Sequence, residues 1–410
     1  MQHDWEFCQI DIKTTYLYGE LEEEVYMEVP EGLEGVPEGH VLLLIKALYG
    51  LKQAGCQWYQ ILKTIMEKFG MKQIESNPHT FIVSRVIKEE KRVLIVPVYV
   101  NDLFPLGDKV LVDEFEQYIP NLFGVSTPCD AHYFLGIHVS RNWAWTQTSP
   151  YICLDQILFI ENVLKSILEF FPGTKIMEYR TVLPADPIMP HTTQSQGRSS
   201  LCLSIPVSCG QLMYIMLATH PDLAYPVGML AHHVSNPSPD HEKALLHLAG
   251  YLKYSIDKAI IYQKPTIDQG NPGMLKTYLD TDWAGEERSG RSTTGMVVYK
   301  NNGPISWTSK RQGVISKSTM ESTYIAMFNA VLYTEWLHSI EKQIGVKTYI
   351  PFVWCNNQAA IAIAKGGDMS FKKFCFMNVK YHYVCCAYSK GRLVISYVKT
   401  ENNLADIFTK

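Results

Sequence analysis

The N-terminal third of the chain alternates between two spacings of apolar residues. Four short segments have the apolar, β-branched character of strands: residues 7–12, 79–86, 92–100 and 133–140. Two longer segments repeat their apolar residues at the 3.6-residue spacing of a helix: residues 58–69 and 157–168. The pattern therefore predicts a mixed α and β segment in which each helix packs an apolar stripe against strands.

Two changes of composition divide the rest of the chain. Residues 172–205 are rich in Pro, Ser, Thr and Gln, which predicts a surface linker, and residues 264–273 form a second boundary. Between them lie two helical stretches, the second of which begins with Ser238 as N-cap and Pro239 at the first helical position. Beyond the second boundary, strands are followed by helices and strands in alternation, and a terminal helix that carries Asp406 is predicted at the end. We predict three parts: residues 1–171, 172–270 and 271–410.

The overall composition indicates a folded protein outside the secretory pathway. The chain has 410 residues, of which 47% are apolar, enough for more than one core. Its N-terminus lacks the segments of a signal peptide, and no apolar run reaches the ~18 residues of a membrane span. The ten cysteines include no Cys-x-x-Cys pair, which disfavours a zinc site or a disulfide framework. We expect a soluble intracellular protein, cytoplasmic or nuclear, with no membrane partner.

Charge is distributed unevenly along the chain. The net charge is −4, but residues 1–40 hold eleven Asp and Glu against one Lys, and residues 251–410 hold 20 Lys and Arg against 12 Asp and Glu. A basic C-terminal part is compatible with contacts to nucleic-acid phosphates. An ordinary solvated surface explains the same charges equally well.

One apolar run is interrupted by a polar pair. Residues 93–104 are Val-Leu-Ile-Val-Pro-Val-Tyr-Val-Asn-Asp-Leu-Phe, which predicts two strands joined near Asn101 and Asp102. Taken alone, the pair is explained by turn chemistry, because Asn and Asp are common in tight turns. The alternative is a hairpin that carries catalytic carboxylates, in which Asn101 stands where a first carboxylate is expected.

The hairpin is one of nine segments that resemble a single family in their order along the chain. They lie at residues 9–21, 23–32, 47–54, 99–102, 134–137, 212–225, 280–285, 303–310 and 404–410, and include Ala-Leu-Tyr-Gly-Leu-Lys-Gln-Ala, Asp-Thr-Asp-Trp-Ala-Gly and Leu-Ala-Asp-Ile-Phe-Thr-Lys. Together they resemble the reverse transcriptase–ribonuclease H part of a copia-type LTR retrotransposon polyprotein. The resemblance extends from about residue 5 to residue 410.

The resemblance implies an α+β fold. A reverse-transcriptase palm with partial fingers is followed by a helical thumb and connection, and then by an α/β ribonuclease H-like domain. The family has a further basic segment before its first motif, whereas about ten residues precede Asp11 here. The resemblance therefore also implies an N-terminally truncated, degenerate copy.

A first metal centre, here called the polymerase centre, is implied at Asp11, Asn101 and Asp102. In the family, carboxylates at these positions hold two metal ions that clamp the attacking and leaving oxygens. Mg²⁺, or Mn²⁺, suits the task because it accepts a few carboxylates and leaves room for phosphates. Asp11 and Asp102 are thus the implied catalytic and metal-binding residues, and Asn101 replaces the first carboxylate of the hairpin.

The same resemblance implies five substrate-binding residues. Tyr16 matches the aromatic position beneath the incoming sugar, and Lys52 and Gln53 match the motif that grips template and nucleotide. Phe134 and Gly136 lie in a segment similar to the primer grip. Core packing is the alternative for Tyr16 and Phe134, and the residues alone do not decide between the two.

A second metal centre, here called the nuclease centre, is implied at Asp280, Thr323, Asn356 and Asp406. The family pattern has four carboxylates there, so Asp280 and Asp406 are the implied catalytic and metal-binding residues, while Thr323 and Asn356 replace the others. Glu321 lies two helical positions from Thr323, roughly 200° around the helix. We therefore predict that Glu321 points away from the centre and does not substitute.

These substitutions define the functional hypotheses. By family, the chain carries out RNA-directed DNA synthesis and RNA–DNA hybrid cleavage with Mg²⁺ or Mn²⁺, and its partners are RNA template, DNA primer, hybrid and deoxynucleoside triphosphates. Asparagine offers a carbonyl oxygen but no negative charge, so we predict that both centres are inactive or nearly so. The alternatives are a non-enzymatic nucleic-acid-binding module and a relic without a role.

Overall fold

A computed structural model describes residues 5–126, 129–130, 133–142, 151–184, 201–263, 273–286, 289–366 and 378–410. The chain divides into two compact units, Met1–Phe134 (unit 1) and Leu135–Lys410 (unit 2). The three-part division by motif stays a prediction, because compactness groups residues by packing alone. Among the described residues, no helix is long and apolar enough to cross a membrane.

Unit 1 is built on a seven-stranded sheet with two helices. Its strands are β1 (Glu6–Asp11), β2 (Glu20–Met27), β3 (Leu42–Lys46), β4 (Lys72–Ile74), β5 (Asn77–Ile87), β6 (Glu90–Tyr99), β7 (Asp102–Leu103), β8 (Leu106–Gly107), β9 (Cys129–Asp130) and β10 (Tyr133–Phe134), and its helices are α1 (Ala54–Lys68) and α2 (Lys109–Tyr118). The sheet follows the order β4-β5-β6-β7-β1-β8, with β9 also paired to β1. β2 and β3 form a separate two-stranded ribbon.

A single core joins the helices of unit 1 to the sheet. The predicted stripe on α1 is confirmed, since Trp58, Leu62 and Met66 are buried. They pack with α2 and with the central strands in one cluster that includes Ile10, Phe81, Leu94, Val96, Leu103, Leu111 and Phe115. Because Ile10 lies in this core, the alternation of β1 turns Gln9 and Asp11 toward the other face of the sheet.

Unit 2 begins with a helical part. It consists of β11 (Ile137–Asn142), β12 (Tyr151–Asp155), α3 (Ile157–Phe170), α4 (Leu201–Ala218), α5 (Ala224–Ala231), α6 (Pro239–Tyr254) and β13 (Ile260–Gln263). The helices share one apolar core, which includes Ile160, Ile167, Leu212, Val227, Leu245 and Leu252. The predicted start of α6 is confirmed, because Ser238 is its N-cap and Pro239 its first residue.

The remainder of unit 2 is a five-stranded sheet with helices. Its elements are β14 (Lys276–Glu286), β15 (Arg291–Lys300), β16 (Gly303–Arg311), α7 (Thr319–Gln343), β17 (Phe352–Cys355), α8 (Gln358–Ala364), α9 (Asn378–Ser389) and β18 (Val394–Tyr397), with a 3₁₀ turn at Asp406–Phe408. The strand order is β16-β15-β14-β17-β18. β14, β15 and β16 pair antiparallel, whereas β17 pairs parallel to both β14 and β18.

The observed elements confirm the predicted α+β class and correct three details. Residues 133–140 are not one strand, because Leu135 and Gly136 have φ of 48° and 68° and turn the chain between β10 and β11. The predicted linker at 172–205 is too long, because α4 begins at Leu201; residues 185–200 of it lie outside the described residues. The predicted terminal helix is a short 3₁₀ turn.

Candidate metal centres

The polymerase centre forms where β1 meets the hairpin of β6 and β7. Asp11 and Asp102 are direct partners in the antiparallel register of β1 and β7. Directly opposite residues in such a pair have Cβ atoms about 4.5–5.5 Å apart. The two carboxylates named from the sequence are therefore neighbours at the end of the ladder, as a palm requires.

Hydrogen bonds occupy the Asp11 carboxylate on both oxygens. Asn101 Nδ2 donates to Asp11 Oδ1, and Ser126 Oγ donates to Asp11 Oδ2 at 2.8 Å. Gln9 Nε2 donates to Asp102 Oδ1 at 3.2 Å. The amide of Asn101 therefore supplies a donor to Asp11 at the position where the family has a second anionic ligand.

The turn that presents Asn101 is strained. Val100 has φ of 55°, a left-handed conformation that a β-branched residue seldom adopts. Trp58 Nε1 donates to Val100 O at 2.6 Å, and Ile12 N donates to Asn101 O at 2.9 Å. These contacts hold the backbone of the turn and so fix where the side chain of Asn101 points.

Burial and charge act on Asp102. Partial burial raises the pKa of Asp102, the hydrogen bond from Gln9 opposes the rise, and the negative charge of Asp11 adds to it. This is the behaviour of two carboxylates that share a site. The polymerase centre thus retains a repulsive carboxylate pair, with Asn101 bound to one of its members.

The structure gives the surroundings of the five predicted substrate-binding residues one by one. The rings of Tyr16 and Tyr49 meet edge to face at 4.6 Å, and Lys52 is exposed. Gln53 precedes α1 and donates to Glu23 Oε2 at 3.2 Å. Phe134 and Gly136 flank the turn between β10 and β11; the Phe134 ring lies 4.6 Å from that of Phe104, a packing contact. Their roles toward a substrate stay predictions.

The nuclease centre lies within β14, beside the end of β17. Leu279 and Cys355 are register partners in these parallel strands, so Asp280, which is still in β14, and Asn356, which follows β17, lie side by side. Asn356 Nδ2 donates to Asp280 Oδ1 at 2.9 Å, and Thr409 Oγ1 donates to Asp280 Oδ2 at 2.6 Å. Asp280 is buried and both of its oxygens are occupied.

A lysine enters the centre from the C-terminal segment. Lys410 Nζ donates to Asp406 Oδ1, and this bond, opposed by burial and supported by the charges of Asp406, Asp280 and Asp282, raises the pKa of Lys410. Burial, then the charge of Asp280, raises the pKa of Asp282, and Lys410 opposes the rise. Asp280 and Asp406 are thus brought around one ammonium group.

Helix α7 supplies a hydroxyl at the second of the four implied carboxylate positions. Thr323 is buried, receives a bond from Asn357 Nδ2 at 3.3 Å and lies 3.2 Å from Thr281 Oγ1. Glu321 instead accepts from Lys317 N at 2.7 Å, a contact at the start of the helix. This contact agrees with the predicted direction of the Glu321 side chain, and that Glu321 does not substitute for the missing ligand stays a prediction.

The donor sets do not fit the metal pair that the family implies. Within the described ranges, no group of three or more His, Cys, Asp or Glu side chains is arranged to hold a metal ion. Asp11 and Asp280 each accept two side-chain hydrogen bonds, so their oxygens already have partners. Cys209 and Cys355 do not add ligands, because burial raises the pKa of each thiol to about 12.

Sequence patterns missed several residues of these centres. Ser126 is far from Asp11 in the chain and has no motif of its own. Gln9 could have been found, because residues two apart in a strand share a face. Thr409 and Lys410 belong to the last motif, but the resemblance assigned a role only to Asp406.

Comparison with known proteins finds similarity in both halves of the chain. Residues 1–170 match the family model described as reverse transcriptase (RNA-dependent DNA polymerase). Among solved structures, LC11-RNase H1, isolated from compost by a metagenomic approach, is 16% identical, covering 33% of this chain and 92% of its own, with a TM-score of 0.27.

The whole chain is similar to transposon polyproteins. It is 30% identical to the retrovirus-related Pol polyprotein from transposon TNT 1-94 of Nicotiana tabacum, over 99% of this chain and 30% of that protein. It is 29% identical to the one from transposon RE2 of Arabidopsis thaliana, over 100% of this chain and 27% of that protein. The copia-type Pol resemblance is thereby confirmed, and the chain spans less than a third of the length of these relatives.

Proposed function

We propose that this chain is the reverse transcriptase–ribonuclease H portion of a copia-type retrotransposon Pol polyprotein in which both metal centres are inactive or nearly so. The observation that carries the proposal is the same in both centres. An asparagine amide donates to the aspartate that would be the first metal ligand: Asn101 to Asp11, and Asn356 to Asp280.

The chemical consequence of the two asparagines is that each centre lacks a negative charge at a position where metal-dependent catalysis needs one. Metal-dependent phosphoryl transfer needs anionic ligands that offset two dications. An amide that donates its N–H to the aspartate lowers the charge of the site and turns its hydrogens, rather than an oxygen lone pair, toward the metal position. Asp11, Asp102, Asp280 and Asp406 stay the proposed ligand positions for Mg²⁺ or Mn²⁺, with binding weakened by this arrangement.

A specific observation favours nucleic-acid binding without catalysis as the second candidate function. Each replaced carboxylate removes one charge that repels phosphates, and residues 251–410 carry 20 Lys and Arg against 12 Asp and Glu. Primer–template and RNA–DNA hybrid are then bound without metal ions, chiefly through phosphate contacts. These ligands occur inside cells, so we place the action of the chain in the cytoplasm or nucleus.

Primer extension on an RNA template with Mg²⁺ tests the proposal. We expect no extension by the unaltered chain and measurable extension by Asn101→Asp. Asn236→Asp is the matched control, since it adds the same charge at an exposed position outside both centres. Extension by the unaltered chain at the rate of the Asn101→Asp variant would overturn the assignment of the defect to Asn101.

A binding measurement separates the two candidate functions. Fluorescence anisotropy of a labelled RNA–DNA hybrid, recorded with EDTA, reports binding without chemistry. Binding that weakens as salt rises supports the nucleic-acid-binding role whether or not extension occurs. Absence of both extension and binding, in the unaltered chain and in Asn101→Asp, would contradict both functions.

A further inference from the structure

The ribbon of β2 and β3, with its connection (residues 20–46, the acidic ribbon), exposes apolar side chains. Tyr26 and Leu43 are register partners, and they are 56% and 51% exposed. Ile45 is 77% exposed and Val41 55%. A two-stranded ribbon is marginally stable in water by itself, and contiguous exposed apolar residues mark a surface for contact.

The charge of the acidic ribbon restricts its partner. It contains eight glutamates and one lysine: Glu20, Glu22, Glu23, Glu24, Glu28, Glu31, Glu34, Glu38 and Lys46. Such a surface repels nucleic-acid phosphates, so a template or primer does not cover it. A complementary partner is apolar with basic groups beside the apolar surface.

Unit 2 carries a surface of that chemistry. A groove of about 810 Å³ lies between β16 and α7, and its lining is largely aromatic and aliphatic, with Met296, Trp307, Leu332 and Trp336 among its residues. Its charged lining residues are Lys310 and Arg311. β16, which forms one side of the groove, is the outermost strand in the order of its sheet. We call this groove the aromatic groove.

We propose that the aromatic groove of one copy of this chain binds the acidic ribbon of a second copy. Leu43 and Ile45 then meet the aromatic lining, while the glutamates of β2 face Lys310 and Arg311. Each copy offers one ribbon and one groove, so association through this contact requires only a second copy of the chain and increases with protein concentration. The proposal does not depend on the activity of either metal centre.

Sedimentation velocity of the full chain, from about 1 to 50 µM (a range set by typical affinities), tests the ribbon. We expect a concentration-dependent dimer, and a loss of at least tenfold in its affinity for Ile45→Asp. Val86→Asp is the matched control, because Val86 is 75% exposed on β5 of the same unit. A chain that stays monomeric throughout, or equal effects of the two substitutions, would overturn the proposal.

A second pair of variants tests the groove. Lys310→Glu is expected to weaken the dimer by at least tenfold, while Lys390→Glu, exposed after α9, leaves it unchanged. Mixing Ile45→Asp with Lys310→Glu pairs one intact ribbon with one intact groove, so association above that of either variant alone is expected. A mixture that associates no more than its components would show that ribbon and groove are not partners.

A groove with aromatic and basic residues also has the chemistry to bind single-stranded nucleic acid by stacking of unpaired bases. An oligonucleotide tests this alternative. A fluorescent oligothymidylate is titrated into the unaltered chain and into Lys310→Glu. We expect equal binding by both. Weaker binding by Lys310→Glu, in a chain that does not self-associate, would assign the groove to single-stranded nucleic acid and overturn the proposal.

Discussion

The polymerase centre and the nuclease centre hold their central aspartates in the same manner. Asp11 accepts one hydrogen bond from an asparagine and one from the hydroxyl of Ser126, and Asp280 accepts one from an asparagine and one from the hydroxyl of Thr409. In both, the amide and hydroxyl hydrogens are attracted to the carboxylate. A metal-free aspartate of this kind is well satisfied, because its oxygens have donors.

The centres differ in what surrounds the bonded aspartate. Asp102 remains beside Asp11 in the polymerase centre, with its pKa raised by burial and by Asp11. The nuclease centre lacks two carboxylates, at Thr323 and Asn356, and includes the ammonium group of Lys410. Under the proposed function, one replaced side chain separates the polymerase centre from the family pattern, whereas two of four proposed ligand positions are replaced in the nuclease centre. We therefore expect that polymerase activity requires one substitution and that nuclease activity requires two.

The largest expected effect is on hybrid cleavage. Thr323→Glu together with Asn356→Asp should raise cleavage of a labelled RNA–DNA hybrid in Mg²⁺ by about 100-fold, while either change alone gives less than about tenfold, because ligands of one site act as a unit. Thr400→Glu with Asn402→Asp adds the same charges at exposed positions and serves as control. Recovery of hybrid cleavage by one substitution alone would show that the nuclease centre does not need more substitutions than the polymerase centre.

The next effect concerns the close packing behind Asp280. A Cβ atom on Gly295 would lie 2.8 Å from Phe408 Cβ and 2.9 Å from Ala405 O, so Gly295→Ala should lower the free energy of unfolding by about 1–3 kcal/mol. Gly313→Ala is the control, since no atom lies within 4 Å of its Cβ position. Urea unfolding measures both. A loss no greater than that of the control would show that the C-terminal segment does not need Gly295 to reach Asp280.

A smaller effect tests the role of the amide in the metal-free fold. Asn101→Asp, measured in EDTA at pH 7, should lower the free energy of unfolding by about 1 kcal/mol, because it removes one hydrogen bond and places like charges together. Mg²⁺ should reverse the loss in this variant, and Asn236→Asp should show neither response. If Asn101→Asp has the same free energy of unfolding in EDTA as the unaltered chain, the hydrogen bond from Asn101 to Asp11 contributes little to stability.

The smallest effect is a pH dependence at Asp282. Its pKa is raised above 3.8, first by burial and then by Asp280. The fold therefore favours the protonated carboxyl, and the associated stability is present at low pH and lost as pH rises through the raised pKa. Asp282→Asn should stabilise the chain at pH 7 by about 0.5 kcal/mol or less, since the side chain is partly exposed. The gain should vanish at pH 3, measured by urea unfolding against Asp257→Asn, an exposed control.

The order of the motifs along the chain was sufficient to predict much of both centres. It placed Asp11 and Asp102 together and named the replaced positions Thr323 and Asn356, because the family pattern carries three-dimensional information that spacing alone does not. The direction of the Glu321 side chain was predicted from helical geometry, since positions two apart on a helix lie on different faces.

Other features depended on contacts between distant parts of the chain. Ser126 reaches Asp11 across 115 positions, and no local pattern marks such a pair. The turn at Leu135–Gly136 was missed because its apolar neighbours match a strand, and only the positive φ values divide them. The direction of the Asn101 amide follows from the register of β1 and β7, which side-chain identity does not specify.

The backbone conformation of Val100 has a consequence for the design of variants of the polymerase centre. Its left-handed backbone costs about 1–3 kcal/mol and is kept in place by Trp58 and Ile12, although the side chain it presents is no longer a carboxylate. The main-chain geometry of the turn is thus held independently of the charge of the side chain at position 101. Under the proposed function, a search for variants with DNA synthesis can therefore keep the backbone and change side chains at a few positions. Asn101 is the first of these positions.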